Sequence, residues 1–323
     1  MTVTLDDIRK AEARIAGHVR QTPLLQDAVL SARLGQAVVL KQEYRQTTGA
    51  FKLRGATNAL LSLPPDARAR GVITASTGNH GRALAHAARA EGIRAVICLS
   101  RLVPGNKVQA IQALGAEVRI IGQSQDDAMA EVARAVQAEG LTEIAPFDDA
   151  AVIAGQGTLA LELLAQRPDL ATLLVPLSGG GLAAGVAVAA KALRPDIRVI
   201  GISMQQGAAM AASLAAGHPV EVAELPSLAD SLGGGIGLHN RLTFALCRRL
   251  LDRVILVSEP EIAAAMRHIH ATTGDWVEGA AAVGVAALLA GHLPAPDGPV
   301  AALLTGANVS PETTARVLAG ELV

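Results

Sequence analysis

Aromatic side chains are nearly missing from this 323-residue chain: one Trp, one Tyr and three Phe make up 2% of it. That is too few for the stacking platforms on which single-stranded nucleic acids are held. An excess of one charge sign is missing too, with 28 basic against 29 acidic residues and a net charge of -1. Without a basic stripe no surface can track a phosphate backbone, so nucleic acid is not an expected partner. Only 18% of residues are charged while half are apolar, which excludes disorder as the main state. The two cysteines, Cys98 and Cys247, lie far apart in apolar stretches. They fit buried free thiols rather than a disulfide framework or a zinc site. No apolar run approaches the roughly 18 residues of a membrane span. The opening MTVTLDDIRKAEARIAG carries acids early and no secretory segment, so a cytoplasmic location is expected. No H-x-x-x-H spacing or carboxylate cluster predicts a metal, and no G-x-S-x-G elbow predicts a serine hydrolase.

What is present is a strand and helix alternation. GVITA, IRAVICLS, AEVRIIG and LTEIAPF read as strands between 71 and 147, separated by RALAHAARAEG, NKVQAIQALG and QDDAMAEVARAVQAEG at helical spacing. That βαβαβαβ order predicts an open parallel sheet of its own. A second set follows, with strands at LATLLVPL, IRVIGISM, RVILVSEP and GPVAALLTGAN. The expected fold class is therefore α/β, with two open α/β domains: a small one over 71–146 and a larger discontinuous one over 1–70 and 147–323. Pro64 and Pro65 end a helix that begins near Ala50. LADSLGGGIG, residues 228–237, is too rich in glycine for a helix interior and reads as a loop.

Four segments could carry chemistry. Lys52, one of only five lysines, lies in QTTGAFKLRGATNALLSL at the start of an amphipathic helix, between Phe51 and Leu53. Partial desolvation and the positive helix end both disfavour its ammonium form, and an amine of lowered pKa attacks carbonyls. A solvated surface lysine is the bland alternative. SGGGLAAG, residues 178–185, joins an apolar strand to a helix, so backbone N–H groups of Gly179, Gly180 and Gly181 can converge on a phosphate. Its G-x-G-x-x-x-G spacing is one residue too long for the dinucleotide fingerprint, which leaves a nucleotide-dependent oxidoreductase as a remote alternative. In ITASTGNHGRALA, residues 73–85, Ser76, Thr77, Asn79 and His80 stand between a strand end and a helix start, where a carboxylate fits. His80 alone reads equally as a structural histidine. TGAN, residues 305–308, ends the last strand and offers the Thr305 hydroxyl.

In this order the four segments resemble the fold-type II pyridoxal phosphate enzymes, tryptophan synthase β-like in fold, and within them the threonine/serine dehydratase family that includes serine racemase. AFKLRGA is similar to the family's S-F-K-x-R-G-A, SGGGL to its tetraglycine loop, TGAN to its S-G-G-N, and PFDDAAVIAGQGTLALELL is also family-like. The resemblance implies pyridoxal 5'-phosphate in the cleft between two domains, held as a Schiff base on Lys52 and contacted by Phe51, Asn79, Ser178, Gly179, Gly180, Gly181, Leu182 and Thr305. It implies that Lys52 then removes the substrate α-proton, and that Ser76, Thr77, Gly78, Asn79, His80 and Phe147 hold an amino-acid-like substrate. A neutral hydroxyl at Thr305 favours loss of a β-hydroxyl over transamination. RLVPGNK, SQDDA and LADSLGGGIGLHNR are most similar to the hydroxyectoine-utilisation dehydratases, which implies a hydroxyectoine-derived β-hydroxy amino acid, with a bulkier one such as phenylserine as the alternative.

Departures qualify what is carried over. Ala50 replaces a family serine, and Thr77 stands where serine racemase has its second catalytic serine, which keeps a racemase side activity open. Ser203, Gly207 and Ala209 align with the racemase's cation ligands and none is a carboxylate, so no metal is expected. Phe147 is polar in the racemase. The chain ends soon after TGAN, so no regulatory domain and no isoleucine feedback are expected. Relatives imply a homo-oligomer, dimer or tetramer.

Overall fold

The strand-forming segments divide between two sheets in the computed structural model, which describes residues 2–321 apart from Thr77, Leu102, Pro104, Pro294 and Ala295. In chain order the strands are β1 (Leu24–Gln26), β2 (Val38–Gln42), β3 (Val72–Ala75), β4 (Ala95–Leu99), β5 (Glu117–Ile120), β6 (Thr142–Glu143), β7 (Thr172–Pro176), β8 (Arg198–Met204), β9 (Arg253–Val257) and β10 (Val300–Leu304). One sheet has the order β1-β2-β10-β7-β8-β9 and is parallel except for β1. The other, β5-β4-β3-β6, is parallel throughout and uses only residues 72–143.

Continuous burial of β2, β4, β7 and β10 follows from apolar cover on both faces. Along β2 the side chains alternate: Val38 and Leu40 enter one apolar core while Val39 enters the other. β10, last in sequence, inserts between β2 and β7, which sets the TGAN segment beside the loop that follows β7. Ligands in open α/β sheets bind beyond the C-terminal strand ends at such crossing points.

Three expectations are corrected. The strand expected over 141–147 shrinks to Thr142–Glu143, which pairs only with Val72 and Ile73 before the chain runs toward the other sheet. The helix expected from Ala50 starts at Lys52, because Ala50 is bridged to Gly306. It ends at Ser62, and Pro65 opens a new helix, Pro65–Arg70. Finally, β1 and β2 went unread because Lys41 breaks the apolar run of β2. Lys41 is fully buried, and its Nζ donates to Thr22 O at 2.8 Å, to Gln166 Oε1 at 2.8 Å and to Glu162.

The same ion cluster anchors the helix that carries Lys52. Arg54 donates from Nε and Nη2 to the Glu43 carboxylate, both at 2.8 Å, and from Nη2 to Glu162 Oε2 at 2.6 Å. Two cations thus balance two buried carboxylates, and removing one partner would strand a charge at a cost of about 3–5 kcal/mol. The helix also shares a core with the small sheet: Leu53, Ala56 and Leu60 pack with Leu84, Ile97 and Leu99 across the expected boundary at residue 71. Close packing continues into helices Ala150–Gln166 and Gly181–Leu193. A Cβ on Gly155 would lie 2.6 Å from Arg54 O, and one on Gly185 would lie 2.3 Å from Ile153 O. Only glycine lets these three backbones meet, and each helix begins at or just after one of the candidate site segments.

Candidate active site

Backbone pairing delivers Lys52 to the cleft. Gly49 turns the chain at φ 76°, the Phe51 N–H donates to Thr305 O at 3.0 Å, and the Ala307 N–H donates to Gly49 O at 3.0 Å. The AFK segment therefore lies along TGAN, and Lys52 becomes the first residue of helix Lys52–Ser62. Its Nζ donates to Pro146 O at 2.7 Å and stands 5.4 Å from the centroid of the Phe51 ring. Desolvation lowers the pKa of this amine to about 8, against an opposing pull from the Glu278 carboxylate. A substantial unprotonated fraction is thus available near neutral pH, as a nucleophile or base requires.

Pro146 leads directly to the glycine loop. The Phe147 ring lies over Gly179, where a Cβ would sit 2.4 Å from ring carbons, and its backbone lies 3.0 Å from where a Cβ on Gly181 would be. Gly180, at φ 89°, caps helix Gly181–Leu193 without a side-chain hydrogen bond. The first-turn N–H groups have no intrahelical acceptor and the helix end is positive, which suits a phosphate. Ser178 immediately precedes, following Leu177, whose N–H donates to Ile202 O at 2.7 Å. Leu182 buries its side chain in the apolar core, so its share in ligand binding is confined to its N–H. Cys247 backs the loop, with its thiol 3.8 Å from Gly180 O and its pKa pushed up to about 12 by burial, so it stays neutral. Asp148 accepts the backbone N–H groups of Arg241, Leu242 and Thr243, fixing the chain just beyond LADSLGGGIG.

The helices that start at Lys52, Asn79 and Gly181 have no side-chain cap, as is also true of those that start at Pro65, Ala209, Thr243 and Gly279. A phosphate and a carboxylate fit this set: open N–H groups at two helix starts, a partly buried amine, and a glycine cradle that side chains would fill.

In the loop after β3, Ser76 Oγ accepts the Gly81 N–H at 3.2 Å and Gly78 precedes helix Asn79–Ala90. Thr77 lies outside the described residues. Asn79 donates from Nδ2 to both Glu278 oxygens, at 2.9 and 3.1 Å, and accepts from Asn308 Nδ2 at Oδ1. The His80 side chain is held by the protein itself. Its ring is 2% exposed, Nε2 is 2.9 Å from Ile144 O, and desolvation aided by the Lys52 charge lowers its pKa to about 3. A neutral ring paired with Ile144 O, just beyond β6, cannot offer a cation to a carboxylate; what remains is the backbone N–H of His80.

That burial has a pH consequence. Between its unfolded pKa near 6.5 and the folded value of about 3, the unfolded chain binds the proton that the native His80 refuses. The stability is complete above pH 6.5 and is lost as pH falls toward 3, by about 1.4 kcal/mol per pH unit. His80→Gln keeps a donor for Ile144 O but does not titrate. Urea unfolding at pH 6, 5 and 4 should show a shallower loss in the variant by about that slope; identical slopes would contradict the assignment.

Three residues went unread as site residues: Glu278, Arg82 and Asn308. With Gly78, Asn79, Asp230 and Ser231 they line a cavity of about 40 Å³. Glu278 is 5% exposed, and its carboxylate occupies the space a Gly306 side chain would need, 2.3 Å from such a Cβ. An acid before a small-residue helix in WVEGAAAVG carries no local signal; Asn308, within TGAN, could have been read. Among the described residues no His, Cys, Asp and Glu group could hold a metal, and no helix is long and apolar enough to cross a membrane.

Comparison with known proteins fits this geometry. The family model described as "Pyridoxal-phosphate dependent enzyme" matches residues 15–306. A putative threonine dehydratase of Sinorhizobium fredii is 58% identical over 307 residues, 95% of this chain and 92% of that protein. An L-threonine ammonia-lyase of Thermotoga maritima is 38% identical over 321 residues, 99% of this chain and 79% of the relative. The structure of maize serine racemase superposes with a TM-score of 0.91 at 34% identity, covering 99% of this chain and 98% of that one.

Proposed function

The chain belongs to the family of pyridoxal-phosphate dependent enzymes, with pyridoxal 5'-phosphate as cofactor and threonine dehydratase-like β-elimination as chemistry, and we propose that its substrate is a hydroxyectoine-derived β-hydroxy amino acid. Membership sets aside the oxidoreductase alternative. The observation that carries the reading is the Lys52 amine, lowered to about pKa 8 and hydrogen-bonded to the residue before Phe147, whose ring covers the uncapped glycine loop. Lys52 would hold the cofactor covalently through Nζ, and the same Nζ, when free, would take the substrate α-proton. The N–H groups of Gly179, Gly180, Gly181 and Leu182, with Ser178, hold the phosphate. Asn79 and Thr305 address the ring, and Ser76, Gly78 and the His80 N–H hold the substrate carboxylate. When bound, the cofactor supplies the sink for the electron pair left on the α-carbon. Water leaves from the β-carbon, and the released enamine tautomerises to an imine that takes up a water and gives off ammonia, which yields a 2-oxo acid. We place the substrate between a small domain, 71–146, and the remainder, in a homo-oligomer.

RLVPGNK, SQDDA and LADSLGGGIGLHNR support the substrate class, and Phe147 supports a side-chain pocket less polar than a racemase's. The test is 2-oxo acid and ammonia release from a hydroxyectoine-derived β-hydroxy amino acid, threonine, serine and phenylserine. We expect kcat/KM for the first to exceed that for threonine by at least about tenfold, the scale of pocket discrimination. Preference for threonine or phenylserine would overturn the substrate assignment and leave the lyase chemistry standing. Chiral analysis of recovered serine reads the racemase side activity that Thr77 leaves open.

A further inference from the structure

The two amides nearest Glu278 form a chain with a fixed direction. Arg82 Nη1 donates to Asn308 Oδ1 at 2.7 Å, so the Asn308 nitrogen faces the other way, where it donates to Thr48 O at 3.2 Å and to Asn79 Oδ1. Asn79 is then left with Nδ2 toward the Glu278 carboxylate, at 2.9 and 3.1 Å. A guanidinium can only donate and a carboxylate can only accept, so the two ends dictate which atom of each amide is nitrogen. One Nδ2 hydrogen can serve both oxygens of a single carboxylate, so the second can be given to a ligand in the cavity that Asn79 lines. The Asn79 oxygen is already occupied. All four side chains line the same small cavity.

We propose that Arg82, Asn308 and Glu278 are positioning residues that lock Asn79 with its N–H, never its C=O, turned to the ligand, so that the site selects a cofactor oxygen bearing negative charge. The proposal rests on the pyridoxal phosphate reading, in which that oxygen is the phenolic one on the ring. Reversal of Asn79 would set an amide oxygen against an anionic oxygen and lose a charge-assisted hydrogen bond.

The experiment compares equilibrium binding of pyridoxal 5'-phosphate and of its 3-deoxy analogue, which lacks the phenolic oxygen, to cofactor-free wild type, Glu278→Gln, Arg82→Gln and Arg82→Lys. Glutamine in place of Glu278 can donate as well as accept, and at Arg82 it no longer compels the Asn308 orientation. We expect wild type to prefer the full cofactor by roughly 10- to 100-fold, the worth of one hydrogen bond to a charged group. Both glutamine variants should lose most of that preference, and Arg82→Lys should keep it. Affinity for the deoxy analogue should be unchanged in Arg82→Gln, which reports an intact fold. Glu278→Gln also removes a charge that acts on Lys52 and shifts both ligands together, so only its ratio is read. Should Glu278→Gln fail to accumulate, Arg82→Gln, at the outer end of the chain, reads the same ratio. An undiminished preference in the glutamine variants, or equal losses for both ligands, would overturn the proposal. Absence of covalent attachment in wild type would instead overturn the cofactor reading.

Discussion

Replacing Lys52 by alanine is expected to lower turnover by at least about 10³-fold, because general-base catalysis alone contributes roughly 10²- to 10⁴-fold and the same amine also acts as the nucleophile. The fold should survive. Lys52 sits at the first helical position, only partly buried, and its side chain hydrogen-bonds Pro146 O. Arg54, two residues on, keeps its contacts with Glu43 and Glu162 and continues to hold the helix in place. The effect should therefore fall on kcat with little change in thermal stability of the cofactor-free protein. Removing a lysine whose ammonium form is disfavoured by desolvation also removes an unfavourable charge, so stability of that form at pH 7 should not fall. A variant that unfolds, or one that retains turnover within tenfold of wild type, would contradict the role assigned to this residue.

The second large effect is expected at Gly180. An alanine there must adopt φ near 89°, at a cost of about 1–2 kcal/mol, and its Cβ would lie 2.8 Å from Met210 Cε and 3.0 Å from both Cys247 Sγ and Thr243 Cβ. The Met210 methyl can give way, but the strained φ and the Cys247 and Thr243 contacts press the loop to shift, which would disturb the N–H groups proposed to hold the phosphate. We expect cofactor affinity to fall by roughly 10- to 100-fold, equivalent to about 1.4–2.7 kcal/mol. Gly217→Ala provides the comparison: it has φ 81° with nothing within 4 Å of the added Cβ, so it carries the backbone strain without touching the loop. It should lower stability and leave cofactor binding unchanged. Absorbance or fluorescence titration of the cofactor-free variants separates the two, and equal affinities would show that the glycine loop does not hold the phosphate.

How far the sequence could be read follows from which interactions are local. β3, β4, β7 and β10 are apolar runs flanked by turn residues, so they are legible one at a time. β2 is not, because Lys41 is tolerated there through Thr22 O and through Glu162 and Gln166, the last two more than 100 residues away. The Lys52 segment was legible as a loop-to-helix junction, the glycine loop as a strand-to-helix junction, and both by family resemblance. Their convergence was not, since it depends on β10 inserting beside β7 and on the pairing of Ala50 with Gly306. His80 shows the opposite limit: its place beside the loop after β3 was readable, but the direction of its ring depends on Ile144, 64 residues on. Glu278 likewise gains meaning only through Asn79, 199 residues earlier.

The central claim is a covalent bond between one amine and the cofactor aldehyde. Borohydride reduction of the cofactor-loaded protein, followed by proteolysis and mass mapping, measures it directly. The account predicts a single reduced pyridoxyl adduct on the peptide containing Lys52, absent from Lys52→Ala. An adduct on Lys41, Lys107 or another lysine, or no adduct in wild type, would contradict it.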